Sequence, residues 1–421
     1  MIFSSFNNPV ILLPVQTLNN TTGVAVIGVV IEQQEVFIID LETAMQYNYK
    51  ILLTLMGLEI GGAETHVVEL AKGLKERGFT VIVASNGGVY VKELVNNGIK
   101  HYKVPLHNKI PHNVIKSYSL LKKIITREKI DLVHAHARIP AFICNILQKQ
   151  LGFPYVTTAH WVFTTKWGLK YLTNWGQKTI AVSEDIKDYL IVNYGLPESR
   201  IYVTINGINP KTFSPDIDYS DVFEEFNLSR DNIHIVHVSR LSKDKSDVAF
   251  QLVNIAEELV SRIPNLDIVI VGDGNAFPRL RICADKVNEK LGRRVVVLTG
   301  GRTDINKFIA FSDLFIGISR AALEAMSASK PVILTGNEGY IGIFDDDKLK
   351  IAMNTNFTGR GMGMPDKDML KQDIFKVLLE MDDTQKKALG AYGKSIIDKY
   401  YSIDRMVEDN IKVYMDKLKN N

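Results

Sequence analysis

Hydrophobic positions in this chain follow two alternating periods. Short apolar, β-branched runs, such as residues 51–56 and Leu266–Val271, predict buried strands. Longer stretches with apolar residues three and four positions apart, such as Asp247–Arg262, predict amphipathic helices. Strands that alternate with helices form parallel sheets covered by helices on both faces. The pattern therefore predicts an α/β protein.

The alternation occurs twice along the chain. One series occupies residues 49–210, and a second begins after a polar stretch and occupies residues 211–402. Two series predict two doubly wound, Rossmann-like domains that face each other across a cleft. Residues 403–418 have the apolar spacing of a terminal helix, and the simplest interpretation packs it on the second domain.

Residues 1–48 precede the first series. Two β-branched runs, at 24–31 and 36–41, flank four polar residues and predict a β-hairpin. Met45 stands shortly before the first strand of the alternation, so translation could begin there. The alternative is a small β-rich element with a packing or regulatory role.

Composition narrows the class of protein. The chain has 421 residues, 46% of them hydrophobic and 23% charged, which excludes an intrinsically disordered chain. Its two cysteines cannot cross-link a fold of this size and fit a reducing compartment. No apolar run reaches the roughly 18 residues of a membrane span, and the first residues lack the Lys or Arg of a signal peptide. A cytoplasmic protein is predicted.

The net charge is +3, with the basic excess in residues 49–210. This distribution predicts that the first domain faces an anionic surface. No nucleic-acid-binding signature accompanies it, so nucleic acid is not predicted as a partner.

Ligands of open α/β sheets bind beyond the carboxyl ends of strands, where several candidate residues lie. Gly61 and Gly62 precede a helix, so their backbone could approach a phosphate, or they form only a tight turn. Arg240 and Lys245 follow the strand Ile233–Val238 and suit a diphosphate, or belong to a solvated loop.

Two further sets of residues follow strands. Glu324, just after Arg320, could accept hydrogen bonds from a ribose diol or merely complement a helix dipole. His134 and His136 share one face of a strand, but a zinc site needs more ligands, so no metal is predicted. His160, at the end of another strand, is the better functional candidate.

Together these motifs resemble family 4 of the glycosyltransferases, retaining enzymes with the two-domain GT-B fold that use nucleotide sugars. The resemblance extends from about residue 50 to residue 420. Its specificity lies in the order of the motifs, which are Gly61-Gly62-Ala63-Glu64, His134-Ala135-His136, Thr158-Ala159-His160, Val182-Ser183, Asn206-Gly207-Ile208, Ser239-Arg240-Leu241 with Lys245, Val271-Gly272-Asp273-Gly274, Leu323-Glu324-Ala325-Met326 and Pro331-Val332-Ile333.

The resemblance implies a role for each motif. Arg240 and Lys245 would clamp the donor diphosphate and stabilise it as it leaves, so no metal or other cofactor is expected. His160 would lie near the transferred sugar, and Glu324 would bind the ribose. The other implied donor-binding residues are Gly61, Gly62, Asn206, Gly207, Gly272, Arg320 and Leu323. Residues 403–418 would cross back to the first domain.

The sequence departs from the family at one position. The family carries a second glutamate where this chain has Ile316, and the following turn contains Arg320. Family members that carry an arginine in this turn look like a subgroup of the family, and this chain resembles that subgroup. The departure leaves the contacts to the donor sugar, and the identity of that sugar, open.

Residues 113–129 combine basic and apolar positions, and the three tryptophans fall within 161–178 among lysines. Trp with Lys is typical of surfaces at the level of lipid headgroups. The sequence therefore indicates peripheral contact with an anionic membrane on its inner face. The alternative is that the apolar side packs on the sheet and the tryptophans line an acceptor pocket.

The predicted function is the transfer of a sugar from a nucleotide-sugar donor to a cell-envelope polysaccharide, glycolipid or lipid-linked acceptor. One alternative is a nucleotide-sugar epimerase on the same architecture. Another is a catalytically silent partner protein that binds nucleotide sugars, which the absence of a glutamate at position 316 makes conceivable.

Overall fold

The computed structural model describes residues 26–32, 35–40, 49–363 and 366–418. Strands and helices alternate through most of these ranges. The strands are β1 (Val26–Glu32), β2 (Glu35–Asp40), β3 (Lys50–Thr54), β4 (Thr80–Ser85), β5 (Lys100–Lys103), β6 (Leu132–Ala135), β7 (Tyr155–Ala159), β8 (Lys178–Ala181), β9 (Ile201–Val203), β10 (Ile233–Val238), β11 (Leu266–Val271), β12 (Val296–Gly300), β13 (Leu314–Gly317), β14 (Val332–Gly336) and β15 (Gly339–Ile343). The helices are α1 (Gly62–Glu76), α2 (Val91–Asn96), α3 (Pro111–Glu128), α4 (Arg138–Leu151), α5 (Leu169–Leu172), α6 (Glu184–Tyr189), α7 (Ser220–Phe226), α8 (Asp247–Arg262), α9 (Phe277–Leu291), α10 (Ile305–Phe311), α11 (Ser319–Ser327), α12 (Leu349–Asn354), α13 (Lys367–Phe375), α14 (Asp383–Tyr400) and α15 (Ile403–Leu418).

The first large sheet has seven parallel strands in the order β5-β4-β3-β6-β7-β8-β9. Its central strands are apolar because helices cover both faces. Leu53 contributes to the hydrophobic core on one face and Leu52 to the core on the other. Apolar positions on α1 and α3 close these two cores.

The second large sheet has six strands in the order β12-β11-β10-β13-β14-β15. All its pairs are parallel except β14 with β15, which are antiparallel. The sequence pattern predicted parallel strands only. A two-residue turn, Asn337-Glu338, joins β14 to β15, and so short a connection allows only an antiparallel hairpin.

The two Rossmann-like domains predicted from the sequence are confirmed. Several elements were not predicted, among them α4, α9 and β15. In the N-terminal part, β1 and β2 form an antiparallel two-stranded sheet, as predicted. Residues 1–25, 33–34 and 41–48, with Met45 and the ends of both predicted runs, lie outside the described residues.

Helix ends agree with local sequence signals. Asp382 and Gln385 form a capping box at the start of α14. Gly292 ends α9 with φ 65°, a left-handed conformation that glycine adopts without steric cost. No helix in the described part of the chain is long and apolar enough to cross a membrane.

The chain passes between the domains twice, and the two crossings lie side by side. Ile208 donates its N–H to the carbonyl of Tyr401 (2.8 Å). Beyond the second crossing, α15 packs on the first domain, where Val407 fills the space left by Gly73 of α1. The terminal helix therefore belongs to the core of the first domain, not to that of the second.

Candidate active site

Gly61 and Gly62 bring the backbone of the first domain against two arginines of the second. A Cβ atom on Gly61 would lie 2.9 Å from Nη2 of Arg240, and one on Gly62 would lie 3.8 Å from the side chain of Arg320. Gly61 is extended (φ 175°), so its backbone conformation does not require glycine, and the atoms nearest to a Cβ there would be the side-chain ends of Glu64 and Arg240. The start of α1 therefore faces positive charge across the cleft.

The loop that carries Arg240 is held by a neighbouring glycine turn. Leu241 donates its N–H to the carbonyl of Asp273 (3.0 Å). Gly272 has φ 150°, and a Cβ there would collide with the carbonyl of Ser239. Gly272, predicted to bind the donor, thus determines where the Arg240 loop lies.

Lys245 points across the cleft to the first domain. Its Nζ lies 4.7 Å from the ring centre of Trp161, and the guanidinium of Arg360 lies 4.9 Å from the same ring. Two cations on one ring form a cation–π arrangement that joins the domains. Lys243, by contrast, is exposed, as expected of a solvated loop.

Arg320 and Glu324 form a buried ion pair on α11. Nε of Arg320 donates to Oε1 of Glu324 (2.9 Å), and Nη1 donates to the carbonyl of Gly207 (3.3 Å). Burial raises the pKa of Glu324 to about 7, against the opposing charge of Arg320. Leu323 faces the hydrophobic core, so its side chain is not available to a ligand.

Asn206 connects the two domains through side-chain hydrogen bonds. Its Oδ1 lies 3.2 Å from Nδ1 of His66, and its Nδ2 donates to Oδ1 of Asn356 (3.2 Å). Asn356 in turn donates to Ser319 (3.3 Å), and both residues have left-handed backbones, with φ 52° and 53°. Such strain is typical of sites whose geometry the fold holds in place.

Three histidines of the first domain converge beside this connection. Ring nitrogens of His66, His136 and His160 all lie within 4.8 Å of one another. His136 Nδ1 and His160 Nε2 are 3.1 Å apart, whereas Nε2 of His66 and Nε2 of His136 have no hydrogen-bond partner in the described part of the chain. His134 is engaged elsewhere, with Tyr414 and Thr158.

Burial keeps the three rings uncharged. It lowers the pKa values of His66 and His136 well below the usual range, and that of His160 to about 4. Three neutral imidazoles could hold a transition metal. The positive charge of Arg320, which lowers the pKa of both His66 and His160, disfavours a second cation there.

Sequence reasoning did not identify several residues of this cleft, namely His66, Asn356, Glu338 and Arg360. His66 could have been found, because it follows Gly62 by one helical turn and so lies on the same side of α1. The others lie on turns that carry no known motif. A cavity of about 370 Å³ also lies between the domains, lined in part by Tyr90 and Thr303.

Two family models match the chain. Residues 60–212 match the model described as Glycosyltransferase Family 4, and residues 232–356 match that described as Glycosyl transferases group 1. The HepE protein of Anabaena, solved in complex with UDP-glucose, superimposes with a TM-score of 0.69 at 18% identity. The alignment covers 87% of this chain and 99% of that one, so the two share a fold.

Two curated relatives have named activities. One subunit of the human phosphatidylinositol N-acetylglucosaminyltransferase is 29% identical over 304 residues, 66% of this chain. The UDP-Gal:alpha-D-GlcNAc-diphosphoundecaprenol alpha-1,3-galactosyltransferase of Escherichia coli is 27% identical over 246 residues, 53% of this chain. The chain spans 59% and 62% of their respective lengths. With both domains matched and the two-domain fold observed, the chain belongs to family 4 of the glycosyltransferases.

Proposed function

We propose that this protein is a retaining glycosyltransferase that takes a sugar from a nucleotide-sugar donor bound in the cleft. The observation that carries the proposal is the approach of Arg240 and Arg320 to the start of α1 at Gly61 and Gly62. Positive side chains and the backbone N–H groups of a helix start are suited to a diphosphate. HepE, which shares the fold, has been solved with UDP-glucose, which supports a UDP-sugar as the first donor to test.

Each donor group has a proposed partner. Arg240 and Lys245 bind the diphosphate, with the α1 start opposite them and Arg320 beside it. Glu324 accepts hydrogen bonds from the ribose hydroxyls. Gly272 and Gly207 act through the backbone, by placing Arg240 and by accepting from Arg320.

Catalysis then depends on positioning and on charge at the leaving group. When the bond from the sugar to the diphosphate breaks, negative charge grows on the phosphate oxygen, and Arg240 and Lys245 stabilise it. We propose that these cations replace a metal ion. His160, neutral at pH 7, makes a hydrogen bond to the transferred sugar and does not act as an acid.

The acceptor we propose is lipid-linked. Both curated relatives carry names that specify a lipid or lipid-diphosphate acceptor. An exposed aromatic surface supports this, since Trp167 is 94% and Tyr171 86% exposed, next to the exposed Lys166 and Lys170. The five basic side chains of residues 113–129 are exposed too.

Fewer residues are available for the proposed membrane contact than the sequence suggested. Trp161 lies in the cleft, and Trp175 stacks on Phe163, so Trp167 is the tryptophan left for a membrane. The apolar side of α3 packs on the sheet through Leu121 and Ile124. Membrane contact therefore depends on the surface around Trp167 and on the basic face of α3.

Calorimetry with UDP-, GDP- and ADP-sugars, in EDTA, tests the donor site. One nucleotide class is expected to bind the wild type, and Glu324→Ala is expected to weaken that binding by tenfold or more, about 1.4 kcal/mol. Product analysis with donor alone must show no epimerised sugar, and adding a lipid-diphosphate-linked sugar must give transfer. Absence of binding by any nucleotide would refute the proposal.

A further inference from the structure

Glu338 lies at the edge of the second sheet that faces the cleft. It occupies the two-residue turn between β14 and β15, directly beyond the carboxyl end of β14. The neighbouring parallel strands β13 and β10 end at the same edge and lead to Arg320 and Arg240. A side chain on this turn is therefore placed where ligands of such sheets bind.

The carboxylate of Glu338 is buried, but only one of its two oxygens accepts a hydrogen bond from a described residue. Its side chain is 9% exposed, and Oε2 accepts from Nε of Arg360 (2.7 Å). Oε1 is buried and has no hydrogen-bond partner among the described residues. The hydroxyl of Thr358 also approaches the carboxylate, but it donates its single proton to the carbonyl of Thr355 (2.8 Å). A buried carboxylate oxygen without a donor is costly, so a donor from a ligand would stabilise it.

The surroundings of Glu338 link it to the proposed donor site. Arg360, its partner, also pairs with Asp185 of the first domain. Arg360 shares the ring of Trp161 with Lys245, and Trp161 directly follows His160. Glu338 is thus connected, through Arg360 and the ring of Trp161, to Lys245 and to the segment that carries His160.

The strand next to β14 offers no carboxylate to this region of the described structure. Ile316, where the sequence departs from its family, lies within β13 with a fully buried side chain. Its carbonyl lies 2.8 Å from Nδ1 of His237, so its polar contact is made by the backbone. An acidic contact to the sugar would have to come from a neighbouring element, and Glu338 is placed to provide it.

We propose that Glu338 accepts hydrogen bonds from hydroxyl groups of the donor's sugar, with Arg360 holding the carboxylate in place. This inference rests on the proposed function, because it assumes a nucleotide sugar in the cleft. It makes Glu338 a determinant of donor-sugar specificity. The nucleotide itself makes no contact with it.

Comparison of a nucleotide with its sugar conjugate tests this role. The probes are UDP and UDP-glucose, followed by UDP-galactose and UDP-N-acetylglucosamine, with GDP and ADP pairs used if those bind the wild type. Glu338→Gln is expected to bind UDP within twofold of the wild type. Its affinity for the UDP-sugar is expected to fall about tenfold or more, as for the loss of a hydrogen bond to a charged group.

Asp185→Asn is the matched control, since it removes the other carboxylate that pairs with Arg360. It is expected to change the ratio of UDP-sugar to UDP affinity by less than threefold, and both variants should keep the wild-type melting temperature within a few degrees. An equal loss of UDP and UDP-sugar affinity in Glu338→Gln, or the same ratio change in Asp185→Asn, would show that Glu338 only anchors Arg360. If the wild type binds UDP-sugar and Glu338→Gln binds it equally well, this inference alone fails. If the wild type binds no nucleotide, the proposed function fails with it.

Discussion

Glu324 and His160 are both uncharged over part of the neutral pH range, for the same physical reason. Burial disfavours the charged form of each group, so it raises the pKa of the carboxyl to about 7 and lowers that of the imidazole to about 4. His160 is therefore neutral throughout the range in which the enzyme would work. Glu324 is the group of the two whose protonation changes near pH 7.

This difference predicts a pH dependence of donor binding. An ionised carboxylate accepts hydrogen bonds from two ribose hydroxyls, whereas the protonated form has lost part of that capacity. Since the pKa of Glu324 is about 7, its ionised fraction rises between pH 6 and pH 8. The affinity for a UDP-sugar should rise over this interval, by up to about tenfold.

Calorimetry at several pH values measures this change, and a nucleotide sugar is the right probe because its diphosphate does not titrate there. Glu324→Gln should bind more weakly and show a flat profile. A slope that persists in Glu324→Gln would assign the titration to another group.

At the scale of elements, the position of Arg240 depends on the packing of two loops that follow β10 and β11. Gly272 permits the close contact with Ser239 that a side chain would prevent. Its φ of 150° lies in a region that other residues rarely adopt. Gly272 thus allows the adjacent loop to pack so closely that Arg240 lies where it does.

Gly272→Ala should therefore weaken both stability and nucleotide binding. The new Cβ would collide with the Ser239 carbonyl, and the strain should cost about 1–3 kcal/mol of unfolding free energy. Denaturant unfolding and calorimetry would measure the two effects. Gly292→Ala, at the end of α9 with open space around it, should cost about 1 kcal/mol and leave binding unchanged. Equal binding loss in both variants would contradict the proposed role of Gly272.

Helix α15 is fixed to the first domain by a buried polar contact as well as by apolar packing. The hydroxyl of Tyr414 lies 2.7 Å from Nδ1 of His134, and both side chains are fully buried. Because a buried nitrogen without a partner is costly, this contact makes the terminal helix part of the fold of the first domain.

Tyr414→Phe should lower the unfolding free energy by about 1–3 kcal/mol, because it leaves the His134 nitrogen unsatisfied. Tyr118→Phe removes an exposed hydrogen bond to Gln150 and should change stability by less than about 0.5 kcal/mol. Urea unfolding of both variants gives the comparison. Similar effects of the two substitutions would mean that the contact with His134 contributes little.

At the scale of the whole molecule, the excess of basic over acidic residues and two largely exposed aromatic side chains are found on the first domain. Residues 49–210 carry the basic excess, and Trp167 and Tyr171 are largely exposed there. Aromatic residues flanked by lysines partition to the headgroup region of bilayers, and anionic lipids attract the lysines. An enzyme with a lipid-linked acceptor would thereby meet its substrate at the surface.

Flotation with vesicles of phosphatidylglycerol and phosphatidylcholine measures this association. The wild type should rise with the vesicles at low salt and dissociate at high salt, because salt screens the lysines. The double variant Trp167→Ala, Tyr171→Ala should lose most of the binding. Ile282→Ala, an exposed apolar position on the second domain, is the control and should bind as the wild type does. No binding of the wild type at low salt would exclude this surface as a membrane contact.

Much of the fold follows from local pattern. The strands β10 and β11 and the helix α8 begin and end where the apolar spacing predicts, because a buried parallel strand or an amphipathic helix needs that spacing. Helix α4 was missed, since its apolar residues lie between two predicted strands without a clear start signal. The turn at Glu338 was missed because two polar residues between apolar runs occur in many surface loops.

The sequence by itself determined the two-domain α/β class, the order of the motifs and the positive charge of Arg240 and Lys245, because these depend on spacing and residue type along one chain. The tertiary structure decided which residues meet. His66, Asn206, Ser319 and Asn356 come from four distant segments, and only the closure of two sheets on one cleft brings them into one hydrogen-bonded set. The tertiary structure also decided which side chains are protonated and which a ligand can reach, since burial is a property of the packed fold. Glu324 and Leu323 are adjacent in sequence, yet Glu324 is a buried acid beside Arg320, whereas Leu323 belongs to the hydrophobic core.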